Sequence, residues 1–318
     1  MDDLGDPSWQ PLRPQLPRNK LEEYLRVLSR RYRFISLAGA VEMLQGHKPV
    51  QPYSMVLTFD DGYRNNLTHA LPILRYYNVP ATFFVPTGFL DNRRPFWFDR
   101  LDYALQQGPV NGREVKVGSF TMRLDGSNRE ALDESYKQFR RAAKKQQMSD
   151  LEFLREMEQL TAQLETESGQ ALADIQEEDN WSAIMTWEQI EAIKNGDVTI
   201  GSHTVDHIRL DLVDVELAYA QLVSSKRDIE THTGKPCLWI CYPSGSFTDE
   251  TITLAQECGY MCGLTTEEGL NCVGDDMMKL RRINLPTDIG STELFARICG
   301  VSQCISNVKN HLIKLILN

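Results

Sequence analysis

The chain has 318 residues, 42% hydrophobic and 25% charged, with a formal net charge of −10 and a pI near 5.2. Such a chain can bury a full core, as one large domain or two smaller ones, and its acidity argues against a nucleic-acid partner, because nothing supplies the counterion-release term that drives such binding. A sugar or another small substrate fits better, and the opening MDDLGDPSWQPLRPQL, with neither a basic nor an apolar leader region, reads as cytoplasmic with no stable membrane insertion.

Taken in order, short apolar runs at 56–59 (VLTF), 81–86 (ATFFVP), 198–201 (VTIG), 237–243 (CLWICYP) and 260–264 (YMCGL) predict strands buried on both faces. Helical patterns lie between them. Residues 66–77 carry apolar positions at Leu67, Ala70, Leu71 and Leu74. Thr186 and Gln189 have the spacing of a capping box, opening a helix that stops before Gly196, while Asp214 and Thr248 are placed to cap the next two helices. Strand alternating with helix predicts a parallel sheet with crossover helices, doubly wound or closed as a barrel. From about 93 to 180 the sequence is highly charged, with helical segments and few strand signals. It reads as a helical insertion, because strands of one sheet flank it on both sides.

In parallel α/β folds the chemistry gathers where strands end. Asp60 and Asp61 follow the first run, His203 follows VTIGS, and Pro243 to Gly245 follow CLWICY. His207 lies four residues after His203, and a helix there puts both imidazoles on one face, about 5 to 6 Å apart at Cβ. Two histidines and one carboxylate leave an open position on a divalent metal, as a hydrolytic site requires. Adjacent strand residues point to opposite faces, so Gly62 is expected to break the strand, letting one aspartate bind metal while its neighbour acts on the bound water.

At this point the sequence resembles the polysaccharide deacetylases, carbohydrate esterase family four, also called the NodB-homology domain. The resemblance rests on T-F-D-D-G at 58–62, H-T-x-x-H at 203–207 and Y-P-S-G at 242–245, and it runs from about Lys20 to Thr287. It implies a distorted parallel (β/α) barrel as one catalytic domain, and hydrolytic removal of N- or O-acetyl groups from an acetylated carbohydrate. It also implies one divalent metal, zinc first, with cobalt, nickel, manganese or iron as alternatives. By the same resemblance Asp61, His203 and His207 are the metal ligands, Asp60 is the general base, and the backbone N–H of Ser244 helps hold the oxyanion.

The sequence also departs from that pattern. Cys241 stands where many members have an arginine that holds the catalytic aspartate, and Arg281 or Arg282 in KLRRINLP is the candidate replacement. No L-x-L-x-H segment supplies a general-acid histidine, since His311 lies in an amphipathic pattern, and nothing before Lys20 matches the family's first strand. Phe96, Trp97 and Phe98 are expected to anchor the insertion to the barrel rather than stack on sugar, and His69 to be structural. His232 is expected to complement a helix C-terminus, and the tail NVKNHLIKLILN to dock as a helix. Five cysteines between Cys237 and Cys272 lack the usual zinc-ribbon spacing, so reduced thiols are expected. The rival functions are a two-metal phosphoesterase and a catalytically weakened sugar-binding homologue.

Overall fold

The structure, a computed structural model, describes residues 9–92, 94–146, 148–287 and 289–299. His311 and the tail NVKNHLIKLILN lie outside the described residues. No described helix is long and apolar enough to cross a membrane.

The strands are β1 (Arg33–Phe34), β2 (Ser54–Met55), β3 (Leu57–Phe59), β4 (Ala81–Val85), β5 (Glu114–Val117), β6 (Phe120–Arg123), β7 (Val198–Ser202), β8 (Trp239–Cys241), β9 (Cys262–Glu268) and β10 (Leu280–Arg282). Six of them form one parallel sheet in the order β10-β9-β8-β7-β4-β3. The order never reverses, so the winding is that of a barrel and not of a doubly wound sheet. The six strands curl into a half-barrel. β4 is buried at every position, as its unbroken apolar run predicts, and the adjacent Phe83 and Phe84 belong to separate clusters.

The helices are α1 (Arg18–Leu28), α2 (Leu37–Leu44), α3 (Leu71–Tyr76), α4 (Trp97–Gln107), α5 (Arg129–Ala143), α6 (Asp150–Ser168), α7 (Trp187–Ile193), α8 (Val215–Thr233), α9 (Asp249–Glu257) and α10 (Ser291–Ile298). Thr186 and Thr248 open α7 and α9 with capping boxes, and Asp214 caps α8, which ends on Gly234 in the left-handed conformation. The stretch 66–77 is not uniformly α-helical. Asn66–Ala70, which includes His69, forms a π turn in which the Leu71 N–H donates to the Asn66 carbonyl, and Pro72, having no N–H, stands in the first turn of α3.

The charged segment leaves the sheet after β4 and returns before β7. It holds α4, α5 and α6 around a cluster that includes Leu101, Tyr136, Phe139, Met157 and Leu164. It is not wholly helical: β5 and β6 pair as an antiparallel ribbon that turns at Gly118, with Val115 and Val117 buried on alternate positions. Residues before α1 run over this segment, where Leu12 N–H donates to Asp102 and Trp9 Nε1 donates to Asp179.

Candidate active site

Asp60 follows β3, His203 follows β7 and the Pro243–Gly245 turn follows β8, so strands of one sheet deliver them to one rim. The break after β3 begins one residue before Gly62. Asp61 itself has φ 70° and Gly62 has φ 67°, so the chain turns sharply at the second acid. A Cβ on Gly62 would come within 3.3 Å of Val85, a packing reason for glycine beside the conformational one.

The stretch between the two histidines is a loop, so the helix that would place both on one face is not formed. Thr204 and His207 both take positive φ, 65° and 55°. The loop is held by remote partners: Gln221 Oε1 accepts the N–H groups of Val205 and Asp206 at 2.9 and 2.8 Å, and the Thr204 carbonyl accepts from Thr87 N–H. The two imidazoles nevertheless converge, with ring centroids 4.8 Å apart. Phe96 and Phe98 pack edge-on against His207, so they are core residues that also fix a site residue.

Asp61 Oδ1 lies 3.4 Å from His203 Nε2 and 3.3 Å from His207 Nε2. A tetrahedral ion with bonds of about 2.0 to 2.1 Å separates its donor atoms by about 3.3 to 3.4 Å, so two edges of this trio have the spacing of zinc-type ligands. His203 is oriented to match, because its Nδ1 bonds the Cys241 carbonyl at 2.6 Å and its Nε2 is left toward Asp61. Burial would raise the Asp61 carboxyl, but the two histidines outweigh it and hold it far below the usual carboxylate range.

Asp60 is held differently. Arg282, at the end of β10, donates Nη1 to Oδ1 at 2.9 Å and Nη2 to Oδ2 at 2.8 Å. β3 and β10 are the two edges of the sheet, so this fork spans the open side of the half-barrel. Burial would push Asp60 up; Arg282 and His203 win and keep it below its usual range. Arg281 turns elsewhere, to Asp275. Cys241, buried and 3.5 Å from Asp60, has its thiol pushed up by burial. Asp60, His203 and Cys241 also lie close enough to share an ion, but both Asp60 oxygens are committed to Arg282 and the thiol stays protonated, which makes that trio the poorer ligand set. Among the described residues no cluster of several cysteines has metal-ligand spacing.

A cavity of about 200 Å³ joins the site, lined by Asp60, Asp61, His203, His207, Ser244 and residues of the charged segment. Ser244 sits in the left-handed region, φ 58°, within the tight turn after β8. A groove of about 820 Å³ adjoins it and shares Lys144, Arg209 and Ser244 in its lining. Several lining residues carry no signal in the linear sequence. Arg13 comes from the segment before α1, lies over the Phe98 ring at 4.6 Å, and pairs with buried Asp99, to which Tyr63 also donates at 2.6 Å. Arg209 is bound by Asp150 through both its Nε and its backbone N–H. Trp97 and Phe153 complete an aromatic wall. His232, in the last turn of α8, is stacked on Trp187 at 4.0 Å with its Nδ1 2.9 Å from Glu191, and is not among the residues of the cavity.

Residues 47–171 and 173–263 match the family model described as polysaccharide deacetylase. A Bacillus subtilis (strain 168) relative, YxkH, provisionally named a polysaccharide deacetylase, is 27% identical over 114 residues, 36% of this chain and 41% of its own. The poly-β-1,6-N-acetyl-D-glucosamine N-deacetylase of Escherichia coli (strain K12) is 32% identical over 87 residues, 27% of this chain and 12% of its own. The matched part thus spans less than half the length of these curated relatives. Among solved structures, the Streptococcus pyogenes deacetylase PplD in complex with acetate is similar in fold, with a TM-score of 0.58 at 17% identity over 90% of this chain and 88% of that one.

Proposed function

The chain belongs to the polysaccharide deacetylase family, and from that premise we propose that it hydrolyses N-acetyl, or O-acetyl, groups of a carbohydrate with the help of one divalent metal. The observation that carries this reading is the approach of Asp61 Oδ1 to the Nε2 atoms of His203 and His207 at 3.4 and 3.3 Å. Two imidazoles and a carboxylate suit zinc, and also cobalt, nickel, manganese or iron. When bound, such a metal supplies Lewis acidity that brings the pKa of water near 7.

The remaining roles belong to the chain itself. Asp60, kept ionised by the Arg282 fork, accepts the proton of the attacking water at its carboxylate. Ser244 N–H donates to the oxygen that gains charge, an interaction typically worth about 3 to 4 kcal/mol when made in a transition state. With no histidine assigned as acid, Asp60 returns its proton to the leaving amine. Arg282, arriving from β10, does for Asp60 what an arginine in place of Cys241 does in many family members. Trp97, half-buried in the cavity lining, offers an apolar face to a sugar ring, with buried Phe98 and Phe153 packed behind it, and residues 93–180 act as a cap that supplies this wall. The name of the Escherichia coli relative suggests N-acetylglucosamine polymers as the first substrates to try.

The test is acetate release. Protein stripped by chelator and reloaded with zinc or cobalt, one equivalent per chain, should release acetate from at least one of a panel of N-acetylhexosamine oligomers and related glycans. The stripped protein should not. Sugar binding without acetate release under every loading would favour the weakened binding homologue instead, and phosphate release from an aryl phosphate would favour a phosphoesterase.

A further inference from the structure

One wall of the pocket is basic without being balanced. α5 ends beside the site and presents Arg140 and Lys144, one helical turn apart, into the cavity that Asp60 and Asp61 line. Most other charges there are matched within the chain: Arg13 by Asp99, Arg209 by Asp150 and Asp60 by Arg282. Among the described residues Arg140 and Lys144 meet no carboxylate. Arg140 is half-buried, with its Nε out of contact with water and without an acceptor, and its guanidinium stands 5.5 Å from the Tyr136 ring. Arg209 Nη2, in the same lining, is likewise buried without an acceptor. Lys144 is more exposed, at the mouth shared with the larger groove. Loss of part of its hydration, with Arg140 and Arg209 nearby, holds its ammonium below the usual range.

A helix C-terminus attracts cations, which accounts for the solvated Arg141 and Lys145. It does not account for Arg140 and Lys144 lining a pocket, where part of their hydration is lost. A neutral glycan entering the pocket offers these groups hydroxyl acceptors but no opposing charge, whereas an anion offers both. We propose that Arg140 and Lys144 bind an anionic substituent of the substrate, a phosphate ester or a carboxylate, and so select acetylated sugars that carry one. On this proposal the anionic group lies beside α5 and the acetyl group beside Asp60. Only the identity of the group hydrolysed rests on the deacetylase reading.

Calorimetric binding to the full chain, stripped of metal so that no ion can hold the probe, tests this. The probes are N-acetylglucosamine 1-phosphate, an N-acetylglucosamine–glucuronate disaccharide and neutral N-acetylglucosamine. At least one anionic probe should bind about tenfold or more tightly than the neutral sugar, weakening with salt. The arm that binds better identifies phosphate or carboxylate. The double variant Arg140→Gln/Lys144→Gln should lose that preference, and Arg140→Lys should retain part of it. Equal binding of all probes, or a preference that survives in the double variant, would overturn the proposal. An anion preference in a protein that releases acetate from nothing would sink the deacetylase reading and leave this one standing.

Discussion

Arg282 acts on Asp60 across the open side of the sheet, and its two hydrogen bonds decide what that carboxylate can do. Burial alone favours the neutral acid, which cannot accept a proton; the guanidinium reverses the balance. Arg282→Gln should therefore raise the Asp60 pKa. A base whose pKa rises is protonated at higher pH, so the acid limb of the kcat/KM profile should move to higher pH, with turnover near neutrality down by about 10². Arg282→Lys keeps a charge but not the fork, and should fall between the two. The check is a pH–rate profile of the metal-loaded variants with metal content measured alongside. An unmoved acid limb with full metal would remove Arg282 from the mechanism.

The elements of the rim were legible from sequence to different depths, and the difference is one of range. The caps at Thr186, Asp214 and Thr248 are contacts between residues three apart, so a short window contains them. The His203–His207 loop is set by Gln221 and Thr87, which lie outside any such window, and so its spacing alone suggested a helix. Arg13 meets Asp99 across 86 positions and Arg282 meets Asp60 across 222, which no local pattern encodes. The turn after β8 offers a test at this scale. Gly245 has φ +68°, and a Cβ there would fall 2.9 Å from the Thr266 backbone nitrogen on β9. Gly245→Ala should therefore push the turn off β9 and displace Ser244, lowering kcat while Asp61, His203 and His207 keep their metal. Loss of metal and activity together would mean that the turn supports the ligands rather than the oxyanion.

At the scale of the whole molecule, a six-stranded half-barrel leaves an open side between β3 and β10, and the site uses that gap. One edge supplies the paired acids and the other the arginine that holds the first of them, while the charged segment closes the pocket over His207 with its own aromatic wall. The proposed mechanism gives the two neighbouring acids separate jobs. Asp61→Asn takes an anionic ligand from a three-ligand set, so metal affinity should fall steeply and activity with it. Asp60→Asn leaves the ligands and removes the proton acceptor, so turnover should fall by about 10² to 10⁴. The most direct measurement is metal content and acetate release on both variants side by side, each shown to be folded by circular dichroism. Asp60→Asn should keep full metal with little turnover, and Asp61→Asn should hold little metal. The reverse pattern, or wild-type metal and turnover in both, would contradict that mechanism.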